Sequence, residues 1–403
     1  MTETIIVIGA GHGGAQLVDS LRAGGFGGNL IVIGDEVHRP YDRPSTSKAL
    51  LSGSVELERT FLKREQFYVD NKIKLRLGTS VSEVDRKART VRLSTGERLT
   101  YDKLVMATGA RARRLTVAGA DLDGVFYLRS LADSQAIAGR LGAGKSLAIV
   151  GGGYVGLEVA ASATELGCRV TVIETQKRLL ARVAGAEIAD FYSKVHRAAG
   201  VDLRLGALLE GFTGEGSVKS VRLADGTDIV ADVVVVGIGA IPNTELAAAA
   251  GLAVENGIVV DDCGRTSDPA IFAIGDATNH PNDVIGKRLR LESVPAAVGQ
   301  ARAAASAILG QPKPFHELPW FWSDQYDIKL QIAGLSQPDD QVVVRGDPGS
   351  NRFAAFYLRE DKIVAVNSVN SAKDFVVGKR LIAEGRVPGV GRLADPAVPL
   401  ADA

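Results

Sequence analysis

Thiols are nearly missing from this chain of 403 residues: Cys168 and Cys263 are its only two cysteines, far apart and outside any C-x-x-C spacing. That count excludes a disulfide framework, a resident iron–sulfur cluster and a redox pair of closely spaced cysteines. Net charge is missing too. Lys and Arg number 47 against 47 Asp and Glu, so no global field favours nucleic acid or membrane, and a charged partner must be met by a local patch. No apolar run reaches the ~18 residues of a membrane-spanning helix. The opening MTETIIVIGAG enters a strand with no basic region or cleavage site before it. The five histidines, at 12, 38, 196, 280 and 316, show no metal-ligand spacing, and no metal site is expected. Length and composition point to a soluble, cytoplasmic protein of two or three domains.

Glycine, in contrast, is abundant at 46 residues, as suits a chain of tight turns and close backbone approaches. It is organised by a duplication. IIVIGAGHGG (5–14) matches LAIVGGGYVG (147–156), each an apolar strand running through G-x-G-x-x-G into a helical stretch. Each then reaches a second strand closing on an acid, LIVIGD at Asp35 and VTVIE at Glu174. One such motif is weak evidence, but two, each framed by strand, helix and strand-end carboxylate, are strong. The second halves repeat as well: TVRLSTGERLTYDKLVMATG (90–109) aligns without a gap on SVRLADGTDIVADVVVVGIG (220–239). Both read as alternating strand, turn, alternating strand, then a buried strand into a glycine turn.

The expected fold is therefore α/β, with two Rossmann-like dinucleotide-binding domains. The first spans 1–112 and the second 113–241. TSDPAIFAIGDA (266–277) has no counterpart in the second copy, and its strand is expected beside the first sheet, so 242–319 returns to the first domain. After the Pro-rich QPKPFHELP (311–319), the segments KLQIAGL, QVVVRG, RFAAFYL and KIVAVNSV read as antiparallel strands and AKDFVVGKRLIAEG as a helix. They form a C-terminal α+β domain over 320–403.

The glycine spacing has a mechanical reason. Gly9 and Gly151 turn the chain, Gly11 and Gly153 admit a pyrophosphate, and Gly14 and Gly156 let helix approach strand. The helix start then offers free N–H groups and partial positive charge to phosphates. Asp35 and Glu174 would accept the adenosine ribose hydroxyls. A carboxylate at Glu174 disfavours a 2′-phosphate and so favours NADH over NADPH, although Lys177 and Arg178 stand nearby. One fixed and one exchanging dinucleotide is the economical reading.

GDEVHRPYDRPSTSK, ATGAR, YLRS, GGGYVGLEVAA, GIGAIPN, TSDPAIFAIGD, RLESVPAAVGQAR and PWFWSDQY give the chain a specific resemblance. Over essentially its whole length it resembles the FAD-dependent, NADH-linked ferredoxin reductases of oxygenase systems, on a glutathione-reductase-like fold. These serve cytochromes P450 and Rieske-type dioxygenases. The resemblance implies FAD contacts at Gly13 in the first turn, at Asp35, and at Arg43, Pro44 and Lys48 in the RPYDRPSTSK loop. It adds Val81, Ala107, Thr108, Gly109, Arg129, Gly275, Asp276, Val294 and Trp320. For NADH it implies Tyr154 and Val155 beside the glycines, and the turn Gly237, Ile238 and Gly239. Lys48 is expected near the flavin ring and paired with Glu158, and these two are the expected catalytic residues.

The stretch 44–54, PSTSKALLSGS, lies where related disulfide reductases carry a redox cysteine, and here it holds only hydroxyls. A hydroxyl cannot cycle through thiolate and disulfide, so electrons are expected to leave from the flavin itself. The expected reaction carries a hydride from NADH to FAD, then single electrons to an external [2Fe–2S] ferredoxin. Exit is expected near Trp320 and Trp322, whose alternation puts them on one strand face. Arg302, Lys379 and Arg380 would steer an acidic ferredoxin. A rubredoxin- or nitrite-reductase-linked reductase and an FAD/NADH redox sensor are the alternatives, and a monomer or weak homodimer is expected.

Overall fold

A computed structural model describes residues 2–402. The chain gathers into two compact units, one of residues 1–43, 57–111 and 240–319, the other of 44–56, 112–239 and 320–403.

The first unit is built on a parallel sheet whose strand order is Ile271–Ala273, Lys103–Met106, Thr4–Ile8, Asn29–Ile33, Ile73–Arg76. The return strand 271–273 does join it beside 103–106, with Phe272 opposite Val105. Because side chains alternate across a strand, Ile5 and Val7 face one side. There they meet Leu17, Val18 and Leu21 of helix His12–Ala23 and Ala301, Ala304 and Ala305 of helix Val294–Ile308. Ile6 and Ile8 face the other side, covered by Val84, Val91 and Leu93 of a three-stranded antiparallel sheet. Buried on both faces, the parallel strands read as continuous apolar runs.

The second unit repeats this plan in Val125–Tyr127, Val233–Val236, Ser146–Val150, Arg169–Glu174 and Asp202–Leu205. Ala148 and Val150 pack toward the antiparallel strands 209–213 and 220–223, while Leu147 and Ile149 pack toward helices Tyr154–Glu165 and Ala186–Ala198. Residues 320–369 form an antiparallel sheet in the order 320–325, 328–334, 362–369, 352–359, 341–347, with helix Ala372–Ala383 packed on it. Ile328, Leu330, Phe353 and Val369 enter the same core as Leu157, Ile188 and Phe191, so this sheet and the second Rossmann-like sheet share one apolar interior. Leu51, 1 % exposed, sits in that core as well and anchors the short 44–56 segment to it. Among the described residues no helix is long and apolar enough to cross a membrane.

Candidate functional site

In the first glycine turn, Gly9 has φ +120°, and a Cβ there would stand 2.1 Å from Ala107 O; a Cβ on Gly14 would stand 2.2 Å from Gly9 O. These two positions are closed to any side chain. Gly11 differs, since a Cβ there would meet nothing within 4 Å. It precedes helix His12–Ala23, whose start has no side-chain cap. The second turn reproduces each feature: Gly151 lies at φ +111°, a Cβ on Gly156 would come within 2.3 Å of Gly151 O, and one on Gly153 would meet nothing. Helix Tyr154–Glu165 likewise starts without a side-chain cap. Each turn is thus an open cradle of uncapped backbone N–H donors with room for an anionic pyrophosphate. The residues fit two dinucleotides.

The strand-end carboxylates sit differently. Asp35 is exposed and accepts from the Glu36 N–H at 3.1 Å. Glu174 folds back on its own loop, accepting from Gly152 N–H at 2.7 Å and Gln176 N–H at 2.8 Å. Arg178 is committed elsewhere, donating to Ala184 O at 2.8 Å and Ala181 O at 3.2 Å. Lys177 is exposed. Tyr154 packs edge-on against Phe321 with ring centroids 4.8 Å apart, and burial raises its pKa well above the ordinary phenol range. Val155 is 44 % exposed beside the turn. Gly237 donates to Val150 O at 2.8 Å, a Cβ on Gly151 would stand 2.4 Å from Gly237 O, and after Ile238 the chain turns at Gly239 with φ +101°.

The remaining residues of the first unit gather around its sheet. Ala107, Thr108 and Gly109 follow strand 103–106, where Thr108 Oγ1 donates to Asn243 O at 2.6 Å and Asn243 N–H donates to Gly109 O at 2.9 Å. Gly275, at φ +79°, donates to Gln300 Oε1 at 2.6 Å and so fixes the turn that carries Asp276. Gln300 in turn contacts His280, whose burial lowers its pKa to about 4 and keeps it neutral. Val81 is buried, Val294 opens helix 294–308, Arg302 is exposed on that helix, and Arg43 pairs with Glu36 at 2.7 Å. Sequence reading passed over Gln300 and Asn243, since amides that act only through a turn leave no periodic trace.

In the second unit the stretch 44–56 stands against helix Tyr154–Glu165. Pro44 lies in a 3-10 turn, Arg43–Ser47. Ser134 Oγ donates to Thr46 O at 2.7 Å and Ser162 Oγ to Ser47 O at 3.1 Å, which pins the backbone. Lys48 Nζ then meets Glu158 Oε2 at 2.8 Å, with side chains 18 % and 6 % exposed. A buried ion pair recovers its desolvation cost only when further hydrogen bonds complete it. Two hydroxyls do so: Ser47 Oγ donates to Glu158 Oε2 at 2.6 Å and Ser323 Oγ to Glu158 Oε1 at 2.6 Å. Neither serine was singled out from sequence, although Ser323 occupies a buried-face position of an alternating strand. Arg129 is half-buried just before helix Leu131–Ala138. Trp320 and Trp322 share one strand face with ring centroids 5.9 Å apart, and Lys379 Nζ lies 5.1 Å from the Trp320 ring. Arg380 is exposed and faces Glu384 at 3.7 Å.

No thiol joins these groups. Cys168 is buried against Gly142, and Cys263 is buried with its pKa raised to about 11, far from a reactive thiolate. Among the described residues no cluster of His, Cys, Asp or Glu is arranged to hold a metal ion.

A family model for pyridine nucleotide-disulphide oxidoreductases matches residues 3–301, and one for a reductase C-terminal domain matches 320–403. The chain belongs to the pyridine nucleotide-disulphide oxidoreductase family, on the branch of the NADH-linked ferredoxin reductases of oxygenase systems. It is 42 % identical over 98 % of its length to a probable ferredoxin reductase CtmF of Castellaniella defragrans, covering 97 % of that protein. It is also 42 % identical to the ferredoxin--NAD(+) reductase component of an anthranilate 1,2-dioxygenase system from Burkholderia cepacia, over 99 % of this chain and 98 % of that one. Among solved structures, the covalent putidaredoxin reductase–putidaredoxin complex superposes with a TM-score of 0.96 at 40 % identity, covering 99 % of this chain and 97 % of that one. The protein is a flavoprotein oxidoreductase whose dinucleotides are FAD and NADH.

Proposed function

We propose that this chain draws electrons from NADH and hands them singly to a [2Fe–2S] ferredoxin that feeds an oxygenase, a cytochrome P450 or a Rieske-type dioxygenase, in the cytoplasm. The bound flavin supplies the two-electron to one-electron conversion. The chain's own part is placement and charge. The first glycine turn and Asp35 hold FAD, with Arg43, Pro44, Thr108, Gly109, Arg129, Asp276 and Val294 as further contacts. The second turn, Glu174 and the 237–239 turn hold NADH. Lys48 is the cation that meets negative charge as the ring is reduced, and Glu158 orients that cation and tempers it. Trp320 and Trp322 border the electron exit, and Arg302, Lys379 and Arg380 add the positive charge that steers an acidic carrier.

The observation that supports this reading best is the Lys48–Glu158 pair at 2.8 Å, completed by two serine hydroxyls in a segment with no cysteine. Such a segment can tune a flavin but cannot pass electrons to a disulfide. Stopped-flow reduction by NADH, followed by mixing with purified [2Fe–2S] ferredoxins and rubredoxins, is the test. Reoxidation within the turnover time by a [2Fe–2S] carrier is the expected result. Reoxidation by rubredoxin alone would overturn the carrier assignment, and a reduced flavin that persists for minutes with every carrier would indicate a sensor.

A further inference from the structure

A chain of hydrogen bonds leads away from Glu158 through the second unit, beyond any role given above. Ser323 Oγ donates to Glu158 Oε1 at 2.6 Å, and Gln325 Nε2 donates to Ser323 Oγ at 3.1 Å. Gln325 Oε1 lies 2.9 Å from His196 Nε2, and His196 Nδ1 lies 3.1 Å from the Tyr326 hydroxyl. None of Ser323, Gln325 and His196 is more than 1 % exposed. Tyr326 closes the chain at a turn with φ +56°, a conformation a tyrosine adopts only when its surroundings hold it there.

The directions follow from the chemistry of each group. An amide oxygen only accepts, so His196 Nε2 carries the ring proton, and Nδ1 of the neutral ring accepts from Tyr326. Burial lowers the His196 pKa and keeps the ring neutral. Every donor then points toward Glu158, and bonds aligned head to tail strengthen one another. Tyr154 and Tyr192, the other titratable groups beside Glu158, have their pKa values raised by burial and stay neutral. Lys48 is therefore the one charged partner of this carboxylate among these groups. The amide of Gln325 breaks any proton path, because it cannot hand on an N–H proton without leaving its carbonyl form. The chain serves to hold a charge in place, not to conduct protons.

We propose that His196, Gln325 and Ser323 are positioning residues that fix the Glu158 carboxylate, and through it the Lys48 ammonium, in one orientation. The proposal rests on Lys48 being the flavin-side cation. Its test uses the holoprotein with Ser323→Ala, Ser323→Thr, Gln325→Leu and Tyr326→Phe, each alone and combined with Glu158→Ala, and Lys48→Ala as the reference. Two quantities are read: the flavin midpoint potential by spectroelectrochemistry, and the melting temperature.

Ser323→Ala takes a donor from Glu158, leaves its charge less dispersed and neutralises Lys48 more fully, so the potential should fall. Gln325→Leu should lower it less and Tyr326→Phe least, a gradient along the chain, while Ser323→Thr keeps the wild-type value. Combined with Glu158→Ala, each should be silent, and the melting-temperature losses of Ser323→Ala and Glu158→Ala should not add. Equal shifts with and without Glu158, additive melting losses, or an unmoved potential in Ser323→Ala while Lys48→Ala moves it, would each overturn the relay. Unmoved potentials in every variant including Lys48→Ala, with the melting coupling intact, would overturn the flavin-side reading of Lys48 and leave the relay as a hold on the ion pair.

Discussion

The two glycine turns share one backbone and part company at their carboxylates. Asp35 is exposed and bonded to the adjacent Glu36 N–H, whereas Glu174, one methylene longer, reaches back to the Gly152 N–H and is set in place by its own loop. Pre-setting suits a dinucleotide that comes and goes at each turnover, because the site is not rebuilt each time. A cofactor that stays bound gains little from it. Under the proposed assignment the same fingerprint serves two residence times, and the two sites differ in how far the acidic side chain reaches.

The largest expected effect comes from the glycines. Gly156→Ala puts a Cβ 2.3 Å from Gly151 O, where backbone must move, and should destabilise the protein by about 3 kcal/mol or more with a clear loss of melting temperature. Gly153→Ala meets no protein atom within 4 Å, so melting should stay within about 2 °C of wild type. NADH affinity in that variant should nevertheless fall by about tenfold or more, as the methyl occupies pyrophosphate space. Gly14→Ala and Gly11→Ala should show the same split in folding against flavin content. A Gly153→Ala protein that binds NADH normally would show that the cradle is not the phosphate site.

Glu174→Ala comes next. Loss of a charge-assisted contact to the ribose should cut the kcat/KM preference for NADH over NADPH by about tenfold. With Arg178 tied to Ala181 O and Ala184 O, the exposed Lys177 is the candidate cation to meet a 2′-phosphate, so Lys177→Ala in the same background should return part of the preference. An unchanged ratio in Glu174→Ala would sink the assigned role. The smallest effect belongs to Cys168→Ser with Cys263→Ser, which should leave ferredoxin-linked turnover within about twofold of wild type, because both thiols are buried and Cys263 is held far from thiolate.

Much of the architecture was legible because it is written locally. Alternating strands 90–93 and 220–223, their turns, and the apolar runs 5–8 and 147–150 carry their own period, and the Ile271–Ala273 run, with no counterpart in the second repeat, advertised a place beside the first sheet. The Lys48–Glu158 pair came through resemblance alone, since nothing in either local sequence announces the other. What stayed hidden depends on contacts between distant positions. Leu51 joins a core built by residues 137–369, and Ser47, Ser323 and Gln325 each meet a partner, Glu158 or His196, more than a hundred residues away. The one trace was physical. In WFWSDQ the alternation places Phe321, Ser323 and Gln325 on one face, and the two polar members of that face are buried, which demands partners.

In the proposed mechanism Lys48 supplies positive charge to the reduced flavin and Glu158 tempers it. The midpoint potentials of Lys48→Ala and Glu158→Ala, measured side by side by spectroelectrochemistry, test it most directly. Lys48→Ala should lower the potential and slow hydride transfer by roughly tenfold or more, the equivalent of one charge-assisted contact of about 1.5–3 kcal/mol. Glu158→Ala should raise the potential, because it leaves the ammonium unneutralised. Opposite shifts are the predicted result. Two unshifted potentials would contradict the account and make the 44–56 segment a lid whose lysine never meets the ring.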